Sequence, residues 1–215
     1  MAVVKGTNAG FVTVAPSSDP SGAGTTVPTN YNYANKDTAP VGAVKVTEIG
    51  WWADNATENQ NFEVGIYDHD AVNNRPGNLL AGVSRTNAKG TTAGWKKATG
   101  LNISITAGTV YWIAVQLDDG ESTLTDYGTP AGERFANKQS TSTLPDPWDT
   151  GLEYDGYYIS IYAVWEAAAA GTNMQINIAD TWKDVASAQI NIGDTWKDVV
   201  TGTQINIGDT WKTIF

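Results

Sequence analysis

The sequence predicts an all-β protein: an antiparallel β-sandwich or jelly roll followed by three tandem β-hairpin repeats. Three observations carry this expectation. Between residues 44 and 166, short runs rich in Val, Ile, Tyr, Thr and Trp recur with turn residues between them, and no stretch shows a helical period. The composition agrees: the chain of 215 residues has 22 glycines and only 17% charged residues, and its 41% apolar fraction suffices for a core. Finally, residues 176–185, 190–199 and 205–214 read INIADTWKDV, INIGDTWKDV and INIGDTWKTI. Such tandem copying marks one small supersecondary unit, each copy too small to bury its own apolar face.

The elements follow in order. Residues 1–43 are rich in Gly, Pro, Ser and Thr, with one strand-like patch at Phe11–Val14, and read as an extended N-terminal arm lying on something else. The sandwich domain is expected over 44–166. Its strand runs are 44–53, 62–67, 79–84, 95–105, 110–117 and 157–165; in the last, Ile159, Ile161 and Ala163 alternate with Tyr158, Ser160 and Tyr162. Turns are expected at Arg75-Pro-Gly-Asn78, Ala107-Gly108 and Asp118-Asp-Gly120. Residues 118–156 are polar, with Phe135 as the single strong strand candidate, and read as long loops at one end of the sandwich. Residues 167–173, AAAAGTN, break the composition and form a linker; 174–215 hold the three repeats.

Within each copy, Ile-x-Ile, a central Gly-Asp or Ala-Asp pair and Trp-Lys describe strand, tight turn and strand. Gly193 and Gly208 adopt positive φ freely, whereas Ala179 does not, so the first turn is expected to differ. The isoleucines and the Trp are expected to share one face. That assembly face comprises Ile176, Ile178 and Trp182, then Ile190, Ile192 and Trp196, then Ile205, Ile207 and Trp211. Burying each such side chain is worth about 1.5–3 kcal/mol, and an isolated hairpin is marginal in water. The face therefore calls for cover by other copies (a homotrimer most simply), by a different protein or by the sandwich.

The tandem pattern of Ile, Gly, Trp and Lys resembles the short C-terminal repeats of structural proteins of tailed bacteriophages. Here Asp stands where a second Gly is common. The sandwich segment, with Tyr67-Asp68, Pro76–Ala81, Gly94-Trp95 and Ala107–Trp112, resembles jelly-roll modules of virion and bacterial surface proteins. The resemblances imply a non-enzymatic virion protein: a capsid decoration, head fibre or tail-fibre component. They also imply partners among its own copies and other virion proteins. The competing expectation is a carbohydrate-binding module of a surface or secreted system; an enzyme such as a glycan depolymerase stands behind both.

Charge and composition narrow the partners further. A formal net charge of −10 disfavours nucleic acid and anionic membrane surfaces, and no apolar run approaches a membrane span. With no cysteine there is no disulfide framework and no thiolate site. Met1-Ala-Val-Val-Lys5 lacks the pattern of a secretory signal, so synthesis in a host cytoplasm and residence in the virion are expected.

Candidate chemistry is sparse, and no cofactor is expected. His69, the single histidine, lies between Asp68 and Asp70; it reads either as an oriented general base or metal ligand, or as a polar residue leaving a strand. Asp118, Asp119 and Glu121, with Asp126 nearby, offer oxygen ligands for a structural Ca²⁺ but lack an ordered loop spacing, and equally describe a solvated turn. Trp148, in a loop with Tyr127 and Tyr154 as companions, reads either as a packing anchor or as a contact for a host-surface glycan or a partner.

Overall fold

A computed structural model describes residues 2–20, 23–27, 30–53, 60–85, 90–118, 121–127, 134–139, 142–148 and 150–168, together with short strands in the repeat region. The chain divides into two compact units, Met1–Ala167 and Ala168–Phe215. Every regular element among the described residues is a strand.

The first unit begins with β1 (Gly10–Val12), β2 (Ala23–Val27), β3 (Tyr31–Thr38), β4 (Ala43–Ala53) and β5 (Phe62–Asp70). It continues with β6 (Arg75–Arg85), β7 (Gly94–Ser104), β8 (Val110–Leu117) and β9 (Glu121–Tyr127). It closes with β10 (Arg134–Gln139), β11 (Leu152–Asp155), β12 (Tyr157–Ile159) and β13 (Ile161–Ala167). One sheet has the order β1-β13-β4-β7, antiparallel except where β1 runs parallel to β13. A six-stranded sheet, antiparallel throughout, has the order β11-β10-β3-β8-β5-β6, and β12-β9-β2 form a third.

Strand alternation assigns the side chains of the two large sheets. Val46, Ile49 and Trp51 of β4, with Ile161 and Ala163 of β13, join Phe62, Val64 and Ile66 of β5 and Ile113, Val115 and Leu117 of β8 in one apolar cluster. The two sheets thus face each other across a shared core. The intervening residues of β8, Trp112 and Ala114, belong to a second cluster with Ala34, Tyr67, Ala136, Leu144 and Trp148. β8 is therefore buried on both sides, and VYWIAVQL reads as a nearly unbroken apolar run for that reason.

The expectation of an N-terminal arm over 1–43 is corrected. β1 pairs with β13, and β3 lies inside the six-stranded sheet between β10 and β8. Its sequence, YNYANKDT, is too polar to announce a central strand, yet its polar groups are buried and used. Asn35 donates through Nδ2 to the carbonyls of Ile159 (2.7 Å) and Ile161 (3.2 Å) and accepts the Ile159 amide through Oδ1 (3.1 Å). Asp37 accepts the Phe11 amide at 2.7 Å and pairs with Lys5 at 2.9 Å, which fastens the start of the chain to β3.

Three further corrections concern turns and loops. Arg75-Pro-Gly-Asn78 opens β6 instead of turning. The reversal lies just before it, where Asp70 Oδ1 accepts the amides of Val72 and Asn73 and Asn74 adopts a φ of 53°. Pro76 is tolerated in β6 because that strand is an edge of the sheet. The segment 118–156, expected as loops, contributes β9, β10 and β11. The expected strand 157–165 is two strands in different sheets, divided at Ser160 beside the Asn35 bracket.

In the second unit, β14 (Gln175–Ile178) pairs antiparallel with β15 (Thr181–Asp184), β16 (Gln189–Ile192) with β17 (Thr195–Asp198), and β18 (Gln204–Ile207) with β19 (Thr210–Thr213). The register corrects the expected shared face. Ile176 stands opposite Lys183 and Ile178 opposite Thr181, while Trp182 stands opposite Asn177. Directly opposed residues share a side of an antiparallel pair. The isoleucine and tryptophan positions therefore lie on opposite sides of the two-stranded ribbon, and the other two copies repeat this register. The turn residues Ala179, Gly193 and Gly208, and residues 169–173 of the expected linker, lie outside the described residues.

The Asn35 bracket yields a stability prediction. Asn35→Ala leaves the Ile159 amide and two carbonyls without their side-chain partner, at a cost of about 1–3 kcal/mol for each buried group stranded. Urea denaturation of the variant is expected to show a clearly lower midpoint; a midpoint equal to the parent's would show that the bracket contributes nothing.

Candidate functional site

The outer face of the six-stranded sheet is crossed by residues 142–148, and this strap borders a recess. Leu144 and Trp148 are its apolar anchors, seated against Tyr67, Trp112 and three alanines, Ala34, Ala114 and Ala136. Small residues make the space: a Cβ on Gly65 would stand 2.7 Å from Leu144 Cδ1. Trp148 is 1% exposed and meets Tyr67 edge to face, with ring centroids 5.3 Å apart.

Hydrogen bonds tether the strap along its length. The Leu144 amide donates to Glu63 Oε2 (2.6 Å), and the Tyr67 hydroxyl donates to the Pro145 carbonyl (2.6 Å). The Leu79 amide donates to Asp146 Oδ1 (3.0 Å), and the Trp148 amide donates to the Gly77 carbonyl (2.8 Å). Burial holds the Tyr67 hydroxyl far above the ordinary phenol range, aided by the negative Glu63 and Asp146, so it remains a donor. Burial also raises the Glu63 carboxyl, against the opposing pull of the Leu144 amide.

Beside the end of the strap lies a hollow of about 400 Å³ lined by Asp68, His69, Asp70, Arg75, Gly77, Asn78, Pro147 and Trp148. Consecutive strand residues ordinarily point to opposite faces. Here the β5–β6 pairing shifts register between Ile66 and Tyr67 and again between Tyr67 and His69, which lets three successive residues line one recess. The polar groups are held in place. Asp68 accepts the Asn78 amide (2.6 Å) and side chain (3.0 Å), while Asp70 accepts the Asn73 side chain (2.7 Å) and pairs with Arg75 (3.4 Å).

His69 Nδ1 accepts the indole N–H of Trp112 at 3.1 Å. Because an indole nitrogen only donates, Nδ1 carries the lone pair and the neutral ring is protonated at Nε2. Burial lowers the His69 pKa, with Lys36 acting in the same direction; a hydrogen bond to the Arg75 backbone and the carboxylates of Asp70 and Asp68 oppose them. In this state the lone pair a general base would use is engaged by Trp112. The arrangement gives His69 a positioning role, in place of the general-base role weighed from sequence.

The other residues singled out from sequence are dispersed. Of the two readings of Trp148, the enclosed ring packed on Tyr67 fits the packing anchor. Tyr127 stands opposite Tyr157 in the three-stranded sheet and Tyr154 opposite Phe135 at the edge of the six-stranded one, so the three aromatics belong to three different elements. Of the calcium candidates, Asp118 accepts the side-chain amides of Asn61 (2.9 Å) and Gln116 (3.0 Å). Asp119 and the side chain of Glu121 lie outside the described residues, and among the described residues no group of three or more His, Asp or Glu is arranged to hold a metal ion. Sequence reasoning missed Arg75 and Asn78 as members of the recess, having read them as a turn; their position opposite the Asp68-His69-Asp70 run depends on the bulged pairing.

Compared with known proteins, the chain matches no family model, no curated protein and no solved structure.

Two outcomes follow from this geometry. A folded-state pKa below the ordinary 6.5 means that the unfolded chain takes the proton first. The stabilisation from neutral His69 is thus complete above pH 6.5 and declines as pH falls from there through the folded value. Because the chain has one histidine, its imidazole proton resonances report this alone, and a titration midpoint at or above 6.5 would contradict the Trp112 contact. Trp148→Ala is expected to cost about 3–5 kcal/mol in denaturant unfolding, the range for emptying a core aromatic site.

Proposed function

We propose that this chain is a non-enzymatic structural protein of a tailed-phage particle, a capsid decoration, head fibre or tail-fibre component. In this reading Met1–Ala167 is a jelly-roll-like sandwich and 174–215 are hairpin repeats that drive assembly. The observation behind it is the threefold recurrence of one strand pair in a unit of its own, Ala168–Phe215. A two-stranded ribbon is marginal alone. One with apolar positions on both sides needs cover twice over, and further copies of the same ribbon are the simplest source.

The assembly is a homotrimer, joined to other virion proteins. No catalytic residue enters the reading, and nucleic acid and membrane are not its partners. Localisation follows: the protein is made in the host cytoplasm and resides in the virion. A carbohydrate-binding module working through Trp148 has less support, because that ring is packed on Tyr67.

Sedimentation of the full chain against a chain ending at Ala167 tests the assembly reading. The full chain is expected to sediment as a trimer and the shorter one as a monomer. Two monomers would sink self-association through the repeats.

A further inference from the structure

The recess at the bulged end of β5 and β6 has the makings of a ligand site. Its volume of about 400 Å³ falls within the range of small-molecule sites. Its walls alternate charged acceptors and donors: the carboxylates of Asp68 and Asp70, the guanidinium of Arg75 and the amide of Asn78, with Pro147 as an apolar flank. The hydrogen bonds these groups make to one another and to the β5–β6 turn are solvent-exposed; each Asp68 oxygen accepts one donor of Asn78 and keeps a further lone pair for an incoming donor, while Asp70 Oδ1 already accepts two amides.

The balance of charge selects among ligands. Two carboxylates outweigh one guanidinium, which disfavours phosphates and acidic sugars. A cation finds no built cage, since the described residues hold no group of three or more His, Asp or Glu arranged for a metal ion. A hydroxyl group, which donates and accepts at once, matches a wall where donors and acceptors interleave. The groups are also fixed in advance by short bonds such as Asn78 N–H to Asp68 at 2.6 Å, so little ordering is left for a ligand to impose. The enclosed ring of Trp148 leaves no stacking platform, so hydrogen bonds must carry the recognition.

We propose that the recess formed by Asp68, Asp70, Arg75, Asn78 and Pro147 binds one unit of a neutral saccharide. The site is independent of the assembly reading: a monomer that binds sugar, or a trimer that does not, separates the two.

The test is a titration of the ¹⁵N-labelled full chain at neutral pH with the methyl glycosides of glucose, galactose, mannose, rhamnose and N-acetylglucosamine. Calcium chloride and sodium phosphate form parallel arms. At least one glycoside is expected to shift the amide resonances of residues 68–78 and of Trp148 in a saturable way, with a dissociation constant on the order of 1 mM. Arg75→Ala should weaken that binding about tenfold, as loss of a hydrogen bond to a charged group does, while Lys97→Ala on the other large sheet should leave it unchanged. If Arg75→Ala loses its folded spectrum, Arg75→Lys, which keeps the charge without the fork, carries the same comparison. Shifts with calcium or phosphate but no glycoside, no shift in any arm, or binding indifferent to both Arg75 variants would each overturn the proposal.

Discussion

The burial of β8 on both of its sides is the constraint on which the rest of the first unit depends. One side of Val110–Leu117 completes the core between the two large sheets. The other presents Trp112 and Ala114 on what would otherwise be an open sheet face. An indole so placed demands cover, and the strap at 142–148 supplies it with Leu144 and Trp148. The strap in turn needs room, which Gly65 and three alanines provide, and anchoring points, which Glu63, Tyr67, Gly77 and Leu79 provide. The recess beside Arg75 and Asn78 exists because the strap ends where the β5–β6 pairing is bulged.

The acidity of the chain acquires a structural meaning in this setting. Asp37, Glu63, Asp68, Asp70, Asp118 and Asp146 each accept a backbone or side-chain amide, Asp70 fixing the turn that follows it and the others fastening one segment to another. Carboxylates suit the task because a charged acceptor forms a stronger hydrogen bond than a neutral one. An excess of acid that in sequence reads mainly as solvated surface or calcium ligands is, at these six positions, a set of internal clasps. His69 belongs to the same pattern, held neutral to accept the indole of Trp112 that β8 points outward.

The repeats are governed by register. Each copy joins its strands through two residues, which sets Trp182 against Asn177 and the isoleucines against Lys183 and Thr181. The isoleucine positions thus fall opposite Lys183 and Thr181, and the tryptophan position opposite Asn177, in alternate places along the strand pair.

Much was legible in the sequence alone: the all-β class, the strand runs at 44–53, 62–67 and 110–117, the reversal at Ala107-Gly108, and two short strands in each repeat. These are local properties, because alternation, β-branched content and turn residues act over a few neighbours. What the tertiary structure decided was which face each residue serves and which strand it joins. YNYANKDT becomes a central strand only because Ile159, Ile161, Phe11 and Lys5 arrive to satisfy its polar groups. Trp148 is enclosed only because β8 leaves an indole to be covered, and Arg75 and Asn78 reach Asp70 and Asp68 only through a bulged pairing. Burial and hydrogen-bond partnership depend on residues distant in the chain, so local pattern does not contain them, whereas the period of a strand is written in its own few residues.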